Sequence, residues 1–193
     1  MPSTRPILAL LVLASALTAC EREAAPGETA PTHPVAAPAE ASAPDGTVLM
    51  RAQQDPEFTT LVSAIQTAGL EETLNGPGPF TLFAPNNAAF EKISAERRGR
   101  LSSPQGRAEL RLLLSYHVVP GRLDAASLMQ RIQAGGGSMA LTTLQGGTLT
   151  ARILANGSIT LTDATGGVSR IVESDLMVGN GVIHAVDTVA APG

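Results

Sequence analysis

Few side chains in this 193-residue chain are capable of chemistry: three histidines, one cysteine, and the serines and acids near them. His117 follows Ser115 and Tyr116, and His184 stands three residues before Asp187. A nucleophilic arrangement would have His184 take the proton of the Ser115 hydroxyl while Asp187 orients the ring. Two features oppose it. Ser115 lacks the glycine-flanked elbow that presents a nucleophile, and a spacing of three along a strand puts His184 and Asp187 on opposite faces unless a bulge intervenes. A metal site from both histidines and Asp187 would still need another ligand from elsewhere in the fold. The reading that asks least is that both imidazoles are buried among aliphatics and tie helix or strand ends by hydrogen bonds. Asn86 and Asn180 read in the same way, as cap and turn residues. His33 has no partner nearby in sequence. Arg97, Arg98 and Arg100 form a basic cluster, expected in a loop, in a chain whose only lysine is Lys92. The cluster is either a solvated face or a contact for an acidic polymer.

Composition narrows the function classes. Thirteen basic against 17 acidic residues give a formal charge of −4, so no basic excess exists to neutralise a nucleic acid. With 44% hydrophobic and 16% charged residues, the bulk of the chain is not a solvated tail. Five aromatics and no Trp leave little for stacking on bases or sugars. One Cys cannot build a disulfide framework. No cofactor is expected.

The elements that position these residues begin after an address. Arg5 precedes an apolar run from Ile7 to Leu17, too short to span a bilayer but suited to a secretory signal. It ends in Leu17-Thr18-Ala19-Cys20, which resembles the bacterial lipobox, so residues 1–19 are expected to be a signal peptide and Cys20 the lipidated first residue. Glu21 rather than Asp follows Cys20, which points to the outer membrane, on its periplasmic face or at the cell surface, with membrane contact through the lipid alone. Residues 21–45 lack Leu, Ile and aromatics and carry five prolines, so they are expected to be a disordered spacer. Such a spacer would reach about 75 Å extended or about 27 Å as a coil.

Residues 46–193 are expected to form one domain, helical first and β-rich after. Asp55-Pro56-Glu57 offers a cap, a helix-opening proline and an acidic first turn, and Phe58, Leu61, Val62, Ile65 and Ala68 follow at helical spacing up to Gly69. A shorter helix is expected over 47–54, a buried strand over 80–84, and helices after Asn86 and Ser103 and over 124–134. Strands are expected over 139–144, 148–154, 158–162, 168–173 and 182–186, separated by Gly146-Gly147, Asn156-Gly157, Gly166-Gly167 and Asn180-Gly181. Asn156-Gly157 predicts a two-residue hairpin with both residues at positive φ.

Three segments together resemble a fasciclin-type domain. The first motif is matched by Phe80-Thr81-Leu82-Phe83-Ala84-Pro85-Asn86-Asn87-Ala88-Ala89-Phe90. The central element is matched by Tyr116-His117. The second motif is matched by Asn180-Gly181-Val182-Ile183-His184-Ala185-Val186-Asp187. The resemblance implies a mixed α and β fold: a wedge of two β-sheets with N-terminal helices packed on it. It also implies a structural role for the motif residues, Phe80, Phe83, Pro85, Asn87, Phe90, Tyr116, His117, Asn180, Gly181, His184 and Asp187. Asn86 stands where the family usually has Thr, and Ala190-Ala191-Pro192 replaces the larger aliphatics common in a last strand. The family's Asp-Ile pair corresponds to Asp175-Leu176, a possible partner contact without the animal integrin role.

The expected function is a binding or adhesion module for a protein or polysaccharide of the cell envelope or matrix. The alternatives are an envelope-acting hydrolase using His117 or His184, and a periplasmic scaffold or sensor partner. Deleting residues 21–45 is predicted to leave the thermal midpoint of the domain unchanged; a scanning-calorimetry midpoint that drops would show that the segment docks on the domain.

Overall fold

Local signals set most of the helix ends. Thr47 accepts the Met50 N–H, Asp55 the Glu57 N–H, Asn86 the Ala89 N–H, Ser94 the Arg97 N–H, Ser103 the Gly106 N–H and Asp124 the Ser127 N–H. Each satisfies a donor that the first helical turn leaves without a partner. The computed structural model describes residues 46–193; the signal segment, Cys20 and the proline-rich stretch lie outside the described residues.

In chain order the elements are α1 (Val48–Gln54), α2 (Thr59–Ala68), α3 (Glu71–Asn75), β1 (Phe80–Pro85), α4 (Asn87–Glu91), α5 (Ala95–Leu101), α6 (Arg107–Tyr116), β2 (Val118–Pro120), α7 (Ala125–Ala134), β3 (Ser138–Thr142), β4 (Thr148–Ile153), β5 (Ile159–Thr162), β6 (Val168–Val178) and β7 (Gly181–Val186). Short 3₁₀ turns at Pro56–Phe58 and Pro104–Gly106 lead into α2 and α6. Gly69, at φ 68°, ends α2 in the left-handed conformation that a side chain would resist.

Seven strands lie in the order β2-β1-β7-β6-β5-β4-β3. β1 and β7 are parallel and every other neighbouring pair is antiparallel. The two sheets implied by the family resemblance are halves of this one order. The start of β6 pairs with β5, from Val168 to Arg170, and its remainder pairs with β7, from Ile171 to Val178. The Leu144 N–H, just past β3, donates to the Val118 carbonyl of β2 at 2.6 Å, so the order nearly closes on itself.

The parallel pair divides two cores. Leu82 and Ala84 of β1, with Ile183 and Ala185 of β7, face the helices and pack with Leu49, Phe58, Leu61, Leu113 and Phe90. Phe83 and Val186 face the other way, into a core with Tyr116, Leu128 and Ile132 of α7, and Leu149 and Leu161. Both faces are covered, which explains why the two segments read as unbroken apolar runs.

Several elements differ from the sequence expectation. Arg97, Arg98 and Arg100 lie on α5, opened by the Ser94 cap, not in a loop. α3, α5 and β2 span only 5, 7 and 3 residues, too short for a period to show. β6 continues five residues beyond Glu173 because two register shifts against β7 interrupt its alternation. The last strand ends at Val186, and residues 187–193 are irregular.

The hairpins differ as well. Gly157 takes φ 82°, but Asp175 is the only non-glycine at positive φ among the described residues, so Asn156 does not. The turn instead has the Gly157 N–H on the Leu154 carbonyl and the Leu154 N–H on the Ser158 carbonyl. The same pair of bonds recurs over 143–147 and 163–167, with Gly146 and Gly166 at positive φ. All three are three-residue turns whose third position is the left-handed glycine.

Gly181 pairs with Phe80 across the parallel ladder, where an added Cβ would overlap the Phe80 carbonyl. Backbone cannot swing aside as a flexible side chain does. Gly181→Ala is therefore predicted to destabilise the domain by about 1–3 kcal/mol, read from its urea midpoint.

Candidate functional site

The motif residues converge on the ends of the β1–β7 pair, where chain ends and helix ends need partners. Asn180, in the turn between β6 and β7, donates through Nδ2 to the carbonyls of Leu74 (2.8 Å) and Gly76 (3.0 Å). Its Oδ1 accepts the Val48 N–H at 2.8 Å, one of the donors left open at the start of α1. One amide thus joins α1, the end of α3 and the β6–β7 turn. At the other end of β1, Asn87 donates to the Pro56 carbonyl at 2.9 Å and accepts the Thr60 N–H at 3.0 Å, holding the entrance of α2. Pro85 is the buried last residue of β1, Phe90 is buried in the helical core, and Phe80 packs half-buried against that core.

His184 is fully buried beside Phe83, its register partner on β1, with ring centroids 5.6 Å apart in a stacked geometry. Its Nε2 is 2.7 Å from the Leu123 carbonyl, and its Nδ1 accepts the Asp175 N–H at 3.3 Å. The carbonyl partner requires a proton on Nε2 and the N–H partner requires none on Nδ1, which defines a neutral tautomer. Burial lowers the imidazole pKa further against the pull of the Leu123 carbonyl and of Asp175 and Asp124. Asp175 sits in the irregular stretch of β6 at φ 64°, and its carboxylate accepts the Ala125 N–H at 2.7 Å, beside the Asp124 cap of α7. Leu176 pairs with Ile183 and turns half-buried toward the helical core.

Tyr116 and His117 form a second knot at the end of α6. The Tyr116 hydroxyl donates to the Thr148 carbonyl at 2.6 Å and accepts the Ala164 N–H at 3.1 Å. His117 places Nδ1 2.7 Å from the Leu113 carbonyl and accepts the Ala190 N–H on Nε2 at 3.0 Å. Its tautomer is the opposite of that of His184. Burial holds its pKa down to about 4, against the raising effects of the Leu113 carbonyl and the Asp163 charge. Asp163 completes the knot: Oδ1 accepts the N–H groups of Thr165 and Gly167 and the Thr165 hydroxyl, and Oδ2 accepts the Ala191 N–H at 2.9 Å. Burial works against the Asp163 charge, yet these four bonds keep its carboxyl below the usual range. The N–H groups of Ala190 and Ala191 are thus taken by side chains, which is why no strand forms there.

Ser115, His184 and Asp187 are not brought together as a triad. Both ring nitrogens of His184 are engaged, and Asp187 lies past the end of β7, bound to the Arg170 N–H at 2.9 Å and 3.7 Å from Lys92. Among the described residues no group of three His, Cys, Asp or Glu side chains converges as metal ligands would. The arginines of α5 diverge: Arg97 is 3.9 Å from Glu109, while Arg98 borders a groove of about 150 Å³ over Phe90, Ile93 and Leu110. Asp163 lies outside the three motifs, and Thr81 lies inside the first of them. Thr81 donates to the Gly121 carbonyl and accepts the Leu123 N–H, holding the chain that His184 also grips. The Asp-x-Thr-Gly-Gly run at 163–167 is a turn signature that could have flagged Asp163.

The fasciclin domain family model matches residues 56–192. The chain belongs to the fasciclin family. Protein sll1483 of Synechocystis is 36% identical over 146 residues, which are 76% of this chain and 73% of that protein. The pig transforming growth factor-beta-induced protein ig-h3 is 36% identical over 77% of this chain, but the match spans only 20% of that longer protein. Immunogenic protein MPB70 of Mycobacterium bovis is 31% identical over 75% of this chain and 68% of its own length. The solved domain pair of the insect cell adhesion molecule fasciclin I shares the fold, with TM-score 0.59 at 21% identity, covering 76% of this chain and 51% of that one. In this fasciclin domain the motif histidines and asparagines bind backbone.

A pH dependence follows from His117. The unfolded chain takes up a proton near pH 6.5, whereas the native ring resists until about pH 4. Between those values the unfolded state binds more protons, so stability is complete above pH 6.5 and falls as the pH drops toward 4. Each unit of separation is worth about 1.4 kcal/mol, so His117 alone contributes a loss of about 3 kcal/mol across the window. Urea unfolding at pH 7, 5.5 and 4.5 should show this slope. His117→Ala should lower stability at pH 7 by a few kcal/mol, about the cost of a cavity and two unpaired backbone groups, and flatten the slope.

Proposed function

We propose that this protein is a lipid-anchored envelope component that displays its fasciclin domain as a binding or adhesion module. In this reading residues 1–19 are the signal, Cys20 carries the lipid, residues 21–45 are the tether, and residues 46–193 form the domain that meets a protein or polysaccharide partner. The observation that supports it best is the engagement of both motif histidines. Each is buried and neutral, with both ring nitrogens held by backbone groups, so neither is free to move a proton for a substrate. The likeness to the insect cell adhesion molecule agrees with a binding role. No helix among the described residues is long and apolar enough to cross a membrane, so attachment in this reading falls to the lipid.

Two measurements separate the anchor from the partner. Cys20→Ser should accumulate as an uncleaved precursor or appear in the soluble fraction; fully processed protein still floating with membranes would refute the anchor. Soluble Cys20→Ser protein, incubated with washed envelope material, should be retained saturably and released by excess unlabelled protein. Retention that is absent or unsaturable would refute the binding module.

A further inference from the structure

The described surface carries a second concavity, of about 320 Å³, on the outer face of β4, β5 and β6. Arg152, Thr160 and Arg170 lie directly opposite one another across these three strands. Adjacent strands are about 4.8 Å apart, so the two arginine backbones stand about 10 Å from each other with Thr160 between them. Both arginines are exposed, whereas Thr160 is only 6% exposed between them, the arrangement expected when arginine stems cover a neighbour and lift the guanidinium into water. Neither guanidinium makes an ion pair among the described residues.

Asp187 also lines the concavity and is its one carboxylate. Its oxygens are already occupied by the Arg170 N–H, the Thr188 hydroxyl and Lys92. Burial opposes its charge, but those partners and the nearby Arg170 charge hold its carboxyl below the usual range, so it stays ionised and paired. With Asp187 offset by Lys92, the two arginines leave this face net positive. The rim adds two aliphatic side chains in water, Leu154 at 43% and Val168 at 56% exposure, and the Thr162 hydroxyl.

We propose that this face binds an anionic polysaccharide, with Arg152 and Arg170 each taking a uronate carboxylate from the same chain. A planar guanidinium holds a carboxylate through two parallel N–H bonds, which favours Arg over Lys in such a role. The half-buried Thr162 hydroxyl matches a ring hydroxyl, and Leu154 and Val168 offer apolar surface to the C–H faces of the rings. A protein partner would be expected to anchor on a larger buried aromatic or aliphatic pocket, which this face does not provide. The proposal rests on the binding-module reading and supplies its partner chemistry.

The test uses the full chain as its Cys20→Ser form, with alginate as the uronate polymer and dextran as the neutral one. Immobilised alginate should retain the protein, and free alginate but not dextran should release it. The double variant R152Q/R170Q should bind at least about tenfold more weakly, whereas R107Q/R111Q, which removes the same charge from exposed positions on α6, should change binding by less than about twofold. No retention, equal losses in the two double variants, or release by polyphosphate as effective as by alginate would each overturn the proposal. Retention on envelope material that neither R152Q/R170Q nor free alginate reduces would overturn this assignment while leaving the binding-module reading intact.

Discussion

The parallel pairing of β1 with β7 is the constraint on which the rest depends. Phe80 faces Gly181 and Pro85 faces Val186, about a hundred residues later in the chain, so about two thirds of the domain is folded between the two strands. The pair is covered on both faces, and neither core is complete without it: Ile183 and Ala185 enter one, Phe83 and Val186 the other. No local contact can compensate for its loss, because closing so long a loop requires burial on both sides to offset the entropy. Gly181 has no side chain because the Phe80 carbonyl occupies the space a Cβ would need.

A buried pair of strands brings buried chain ends, and each orphaned N–H or C=O costs about 1–3 kcal/mol. Polar side chains, several of them in the motifs and others, such as Asp124 and Asp163, outside them, meet this need. Asn180 and Asn87 hold the entrances of α1 and α2, Asp124 and Asp175 that of α7, His117 and Asp163 the terminal segment, and His184 and Thr81 the chain before α7. The two histidines adopt opposite tautomers because each ring nitrogen is dictated by the backbone group it meets. This makes the motif a scaffold, and it leaves recognition to surfaces the motif does not occupy.

Those surfaces differ in character. On the helical side, the Ser63 and Thr67 hydroxyls of α2 bend back to carbonyls of their own helix, and Arg97 approaches Glu109. On the sheet side, strand register alone lines up Arg152, Thr160 and Arg170, with Asp187 already paired beside them. A chain that is acidic as a whole thus carries a local positive face, a pattern that net charge cannot reveal.

The sequence by itself determined what is settled within a few residues. Asp55-Pro56, Asn86, Ser103 and Asp124 mark helix starts because a side-chain oxygen reaches an N–H two or three positions on. Gly69, Gly146, Gly157 and Gly166 mark turns because only glycine takes those backbone angles freely. The ordered motifs carried the family and hence the fold class. The tertiary structure alone decided what depends on residues far apart meeting. It made one continuous strand order of two sheets, because the bulged β6 bends to pair with both neighbours. It set the tautomers of His117 and His184, made Asp163 a clamp, and drew Arg152 and Arg170 to one row. Strand register is chosen by which faces become buried, and a strand buried on both sides shows no alternation from which its partner could be read.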